Sequence, residues 1–386
     1  MAAPSHRHQS SLEGVIDFSA ATPFANEQQR TQAVGRFRRI VDYFEAAEQP
    51  APRYGDGYNR PALVRLTFEH ARSQTSQDRF LGAFFRSLAL GMLDDGSVDD
   101  SVDLSDDSVV ADFRSPLFGF AEFLMTNFFL PLRASTNRTP QPSPVYHAAV
   151  QQAQTQEDQQ RIEHFVGTPE RLSALRGSCL TRDRHRCVIT HTFDIAEAMQ
   201  RLRWPPATDD DGNPLDISSN GGLEVAHILP HALTKEENGE LSESKKSAIA
   251  ILNMFDSGVM HMIEGTDMHR PYNAITLSLE MHQRFGQFHI FFEPDTNAPP
   301  HTYRINSFVP FSNQFPVTRT LFMHPSIDPP SERLLALHSA IGHILHLSGA
   351  GDYIQVILKD MEEGVVRGDG STQLGDILRI GLQMRG

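Results

Sequence analysis

The sequence predicts an α+β protein, in which helices flank a central stretch of short strands and turns. Three observations predict it. Apolar residues recur at helical spacing from Glu27 onward, with Val34, Phe37, Val41 and Phe44 on one face. Near Arg171 the character changes to short apolar segments between loops dense in His, Arg and Asn. After Pro330 helical spacing returns, with Ser331 as a cap ahead of Leu334, Leu337, Ile341, Ile344 and Leu345. At 386 residues the chain is long for one compact domain, and its 39% hydrophobic and 21% charged residues are those of a globular protein.

The elements follow in order. Residues 1–25 are polar and read as a disordered N-terminus. Residues 26–165 form a mainly helical N-terminal region. Within it, Pro52 to Asn59 is a break, and Asn59 then caps a helix that has Pro61 in its first turn. Phe80, Phe84 and Leu88 are a core stripe at i, i+4 spacing. Eight aspartates between Asp94 and Asp112, interleaved with Ser and Gly, predict a solvated linker. The apolar run Pro116 to Leu132 contains Glu122 and Pro131 and is shorter than the ~20 residues of a bilayer span, so it predicts a buried helix rather than a membrane segment. A Pro-rich break at Pro131 to Pro144 precedes a solvent-facing helix around Tyr146 to Arg161. The mixed segment spans about 171–310 and ends in a hairpin, Phe288 to Phe292 facing Tyr303 to Phe308. A C-terminal helical extension covers 331–386, its last helix starting near Asp352.

Composition narrows the function. A formal net charge of −14 and a pI of about 5.7 exclude a protein that coats nucleic acid by bulk electrostatics, but not one with a local basic surface and a metal ion. Cys179 and Cys187 cannot build a disulfide framework and fit a reducing compartment, cytoplasm or nucleus. The histidines at 338, 343 and 346 do not share one tight helical face and read as packing or surface residues.

Three pieces carry chemistry: Arg182 to Thr190, Leu223 to Pro230, and Asn273 to Phe285. The second reads as a short strand ending in His227 with a Pro stop. The third reads as a strand turning directly into a helix, with Asn273 at its entrance and His282 on the first helical turns. Two strands and a helix of this kind can enclose a divalent cation from one side and leave the other open to a phosphate.

The order of these pieces resembles the HNH nucleases of the ββα-metal superfamily. His227-Ile228-x-Pro230 matches the end of that family's first strand, Asn273 to Leu277 matches its "N-x-x-x-L", and His282 lies the family's nine positions beyond Asn273. The resemblance covers roughly Arg171 to Pro294. The sequence is similar to the zinc-cysteine-free HNH proteins common in fungi.

The resemblance implies that His227 is the general base, that Asn273 holds the loop and the imidazole by hydrogen bonds, and that His282 ligates a divalent metal, Mg²⁺ or Mn²⁺. Zinc-stapled relatives carry cysteines where this chain has Cys187, Thr190, Ser278 and Met281, so no structural zinc is expected. The family often has an acidic or His ligand just before the base, where this chain has Ala226. Strand alternation puts Glu224 on the same face, as a replacement ligand or as an exposed carboxylate. The 46-residue step from His227 to Asn273 contains a helix at Ser242 to Phe255, then His261, Glu264, Asp267 and His269, a polar loop or a second metal site.

Between Arg171 and Arg203 seven arginines face three acids. Arg182, Arg184 and Arg186 are the candidate nucleic-acid contacts, with a solvated ion-paired face as the other reading. The expected function is a metal-dependent HNH endonuclease acting on DNA in preference to RNA, with helical extensions that regulate it or bind a protein partner. The alternative is a non-catalytic interaction protein with a degenerate HNH fold.

Overall fold

The computed structural model describes residues 24, 26–48, 55–91, 102–136, 169–216, 220–230, 243–263, 268–310 and 315–363. The expected disordered N-terminus (apart from Phe24), the 146–161 helix and the last part of the C-terminal extension lie outside them. The chain divides into two units, one of residues 1–134, 236–260 and 343–386, the other of 135–235 and 261–342.

The first unit is helical. Asn26 caps the helix Glu27–Ala47 by accepting from Gln29 N, and Asn59 caps Arg60–Glu69 by accepting from Ala62 N with Pro61 in the first turn. These side chains satisfy amide groups that the first turn leaves without an intrahelical acceptor. The core is phenylalanine. Phe37 lies 4.8 Å from Phe68 and 4.9 Å from Phe84, and Phe84 in turn lies 5.8 Å from Phe120. The Pro116 to Leu132 run is buried helix as expected, interrupted by a π-helical turn at Met125–Phe129. No helix among the described residues is long and apolar enough to cross a membrane.

Two expectations for this region change. The acidic linker does not extend to Asp112, because a helix starts at Asp107. Asp106 accepts from Ser108 N as its cap, and the carboxylate of Asp107 sits in the first turn, where the helix dipole favours it. The helix Glu243–Phe255, from the long step between His227 and Asn273, groups with the N-terminal helices, with Phe255 stacked 5.3 Å from Phe128.

The second unit mixes helices with small sheets, the α+β class read from the sequence. β1 (Phe193–Asp194) runs parallel to β2 (Asn220–Gly221). β3 (Leu223–His227) pairs antiparallel with β4 (Ala274–Ser278), in a register that sets Glu224 opposite Leu277 and His227 opposite Ala274. β4 runs directly into the helix Leu279–Gly286, called the motif helix below. β5 (Ile290–Pro294), β6 (Thr302–Ser307) and β7 (Val317–Thr320) form an antiparallel meander. The expected hairpin is therefore present, but its first strand begins at Ile290. Phe288 takes a left-handed φ of 58° at the end of the motif helix, and its ring stacks 4.4 Å from His338.

A buried ion pair holds the strands to the helix Pro169–Arg182. Arg182 donates to both carboxylate oxygens of Asp183 at 2.8 and 2.9 Å, and also to the carbonyls of Pro271, Ala274 and Asp328. Asp183 accepts the amide of Thr276 at 3.1 Å. Neither side chain reaches solvent. Burial alone would lower the guanidinium pKa, but the adjacent carboxylate overrides it and holds the value above the ordinary one. Substituting Arg182→Met leaves Asp183 as an uncompensated buried charge. The expected loss is about 3–5 kcal/mol of stability in urea unfolding, far above the effect of removing a surface pair.

His338, on the helix Glu332–Leu347, braces the motif helix. Its ring is sandwiched 3.8 Å from Phe285 and 4.4 Å from Phe288, and Nε2 donates to Phe285 O at 3.1 Å. Desolvation lowers its pKa from 6.5 to about 3. The unfolded chain takes up this proton first, so the contribution is whole above pH 6.5 and is lost as pH falls towards 3. The expected acid slope is about 1.4 kcal/mol per pH unit, absent in His338→Phe, and urea midpoints between pH 7 and 4 would measure it.

Candidate active site

The site is built on the β3–β4 pair and the motif helix. Along β3, Leu223 and Val225 turn to one face, where Val225 packs with Leu175, Cys179 and Ala274. Glu224 and Ala226 turn to the other. The motif helix lies against the same pair. On it Met281 and Phe285 are buried, and His282, one residue from Met281, is half-buried.

His282 Nδ1 lies 2.5 Å from Glu224 Oε2, a contact that joins the helix to the strand. Glu224 is thus not a free surface carboxylate. Ala226, on the same face, is buried.

His227 stands at the far end of β3, three residues and about 10 Å of strand rise from Glu224, and on the opposite face by alternation. Its Nε2 lies 3.3 Å from Nδ1 of His269, with the rings at 68°. His269 was grouped by sequence with His261, Glu264 and Asp267. The structure brings it to His227, while Glu264 and Asp267 lie outside the described residues. Nothing in strand or helix periodicity signals this pairing, since 42 residues separate the two histidines.

Asn273 is fully buried, so its carboxamide touches protein alone. Its Oδ1 accepts Leu229 N at 3.0 Å, and its Nδ2 donates to Leu229 O and to Met268 O, both at 3.0 Å. Its backbone carbonyl accepts Ile228 N at 2.8 Å. A side chain so occupied holds the loop after His227 in place.

The arginine cluster needs correction. Arg182 cannot contact nucleic acid, because its guanidinium is enclosed by Asp183 and three carbonyls. Arg184 and Arg186 are nearer solvent, but Arg184 pairs with Asp211, and Arg186 with Asp209 at 2.8 Å. Asp210 binds His185 Nδ1 at 3.0 Å and Arg201 at 2.9 Å. Desolvation would raise the Asp210 pKa, but these two donors outweigh it and hold the value near 2. The positive balance of 171–203 is thus met by the acidic turn at 209–211, just beyond the stretch over which it was counted.

The positions that carry zinc cysteines in stapled HNH domains are filled differently. Cys187 is buried and its Sγ accepts Thr190 N at 3.4 Å. Thr190, Ser278 and Met281 line a groove of about 740 Å³ beside the first turn of the motif helix, together with Thr192, Gly222 and Arg319. The groove holds neither His227 nor His282.

Among the described residues no three His, Cys, Asp or Glu side chains gather to hold a metal. The donors that face each other near the motif helix are the Glu224 carboxylate and the His282 imidazole. A carboxylate with an imidazole suits a divalent ion of borderline hardness, which would complete its shell with water.

No curated protein and no solved structure matches the chain significantly. A family model described as HNH endonuclease matches residues 187–293, from Cys187 on the loop before β1 to Glu293 in β5. That span contains β3, β4 and the motif helix with Glu224, His227, Asn273 and His282, and residues 187–293 of this chain are a domain of the HNH endonuclease family.

Proposed function

We propose that this domain is a metal-dependent endonuclease that hydrolyses phosphodiester bonds, with DNA as its substrate in preference to RNA. The observation that carries the reading is the Glu224–His282 contact at 2.5 Å. It sets an acidic donor beside the motif-helix histidine on the face where Ala226 supplies none. Glu224 and His282 would hold Mg²⁺ or Mn²⁺, the mixed oxygen and nitrogen donors favouring Mn²⁺. When bound, such an ion neutralises charge developing on the phosphate and the leaving oxygen.

The chain's own residues do the rest. His227, at a strand end and half-exposed, takes a proton from the water that attacks phosphorus in line. An imidazole suits this task because it titrates near neutrality. Asn273 keeps the loop after His227 in place. The two buried free cysteines fit a reducing compartment, cytoplasm or nucleus.

Two features favour a second reading, in which the domain binds partners without cleaving. One is Ala226 at a usual ligand position. The other is the charge of −14, with Arg184 and Arg186 already paired to aspartates. Plasmid nicking decides between them. The native chain is expected to nick DNA with Mn²⁺ or Mg²⁺ and to stop on chelation. His227→Ala is expected to lose about 10²–10⁴-fold in rate. Glu224→Gln is expected to need about 10–100-fold more metal for half-maximal rate. A folded native chain that cleaves neither DNA nor RNA with any divalent metal would overturn the nuclease reading in favour of the second.

A further inference from the structure

The helix Ile195–Arg201 and the turn after it leave an apolar strip uncovered. Ile195, Met199 and Leu202 recur at i, i+4 and i+7 and are 47%, 61% and 36% exposed. The strip leads to the turn that carries Trp204, the one tryptophan of the chain, which is 80% exposed. Single exposed apolar residues are ordinary, but four along one short segment mark a binding surface.

That turn is held at both ends. The amide of Trp204 donates to Arg201 O at 3.0 Å, and the amide of Arg203 donates to Gln200 O at 3.2 Å. The Arg201 guanidinium then crosses to Thr208 O at 3.0 Å and to Asp210 at 2.9 Å, closing residues 202–207 into a loop. The indole is displayed on a tied base, so little further ordering is needed when a ligand covers it.

Charge selects the occupant. Arg184, Arg186 and Arg201 each meet an aspartate of the 209–211 turn, whereas no acid among the described residues pairs with Arg203. Arg203 is exposed and next to Trp204 in the chain. An aromatic ring beside an unpaired guanidinium suits a nucleotide, whose base stacks while its phosphate meets the cation. In a chain of net charge −14, with the neighbouring arginines already paired, stacking supplies attraction that bulk electrostatics does not. The strip also lies within the 187–293 span matched to HNH endonucleases. Its helix starts where β1 ends, and β2, the partner of β1, leads through Gly222 into β3 and Glu224.

We propose that Trp204 and Arg203 bind single-stranded DNA, Trp204 by stacking on a base and Arg203 by pairing with a neighbouring phosphate. The choice of ligand rests on the nuclease reading above and narrows its substrate. In a duplex the bases cover one another, so the indole finds an open base face only on a single strand or an unpaired stretch.

The test uses the full chain in EDTA, so that no cleavage intervenes. Trp204 is the sole tryptophan, and protein fluorescence therefore reports this one ring. An oligothymidylate of about 12 nucleotides is expected to quench it saturably, and a duplex of equal length to bind at least about tenfold more weakly. By anisotropy of labelled oligothymidylate, Trp204→Ala is expected to raise Kd about 10–100-fold, and Trp204→Phe to recover most of the loss. Arg203→Gln is expected to reduce the salt slope by about 0.7, the share of one phosphate on a single strand. Because the ring is at the surface, the urea midpoint of Trp204→Ala is expected to stay native.

No quenching by the single strand overturns the proposal and leaves the strip to a protein partner. Equal binding of the duplex, or a Trp204→Ala variant that binds like the native chain, overturns it too. A chain that binds and quenches as expected but cleaves nothing with any divalent metal refutes the nuclease reading and upholds this site.

Discussion

The Arg182–Asp183 pair is the constraint on which the second unit depends. Two opposite charges with no solvent contact are stable only where every donor and acceptor is met, and here the partners come from four places in the chain. The guanidinium takes the carbonyls of Pro271, Ala274 and Asp328, and the carboxylate takes the amide of Thr276. The segment 271–276 is therefore fixed from beneath by charge-assisted bonds, which are stronger than neutral ones. Asn273 lies within that segment, so its carboxamide presents a set of hydrogen-bonding atoms to the loop after His227 and to the turn that carries His269. A buried pair of this kind adds little net stability, but it admits few alternative arrangements, and here it fixes one strand entrance.

From that entrance the rest follows by geometry. The antiparallel register sets His227 opposite Ala274, at the end held by Asn273, and Glu224 opposite Leu277, near the start of the motif helix. Because β4 passes into the helix without a loop, the β4 register also sets the position of His282 relative to Glu224. The His338 ring, wedged between Phe285 and Phe288, braces the far end of that short helix. Eight residues of helix have little stability alone, so this packing and the strand before it carry the cost of keeping His282 in place.

Much of this was legible in the sequence, because local signals and motif spacing agree. Asn59 with Pro61, Ser331 before its helix, and the strand pair around residues 290–307 are short-range features with fixed offsets. That Glu224 shares a strand face with Ala226 was legible because strand alternation is a strict period of two, and its contact with His282 was not. Other features were illegible for a physical reason. The Arg182 side chain reads as one more basic residue unless the carbonyls of residues 271, 274 and 328 are known to converge on it. The meeting of His227 and His269 depends on how a long excursion closes, which no periodicity encodes. The acidic run was misjudged at its end, where Asp106 is a cap and Asp107 begins a helix.

The same long-range closure bears on how an acidic chain could meet a polyanion. The basic stretch read from sequence becomes a set of ion pairs with Asp209, Asp210 and Asp211, and its most central arginine is interior. Each phosphate contact made by Arg184 or Arg186 would first break a pair, so the gain from releasing counterions is partly offset at those residues. Under the nuclease proposal, binding then depends less on bulk charge than on the few groups at the strand end and on the metal. Salt dependence of binding should accordingly be shallow for a nuclease, with a slope reflecting few phosphates. Arg184 and Arg186 would then act mainly by holding the acidic turn against the loop before β1, a structural duty that their exposure and their charge count both conceal.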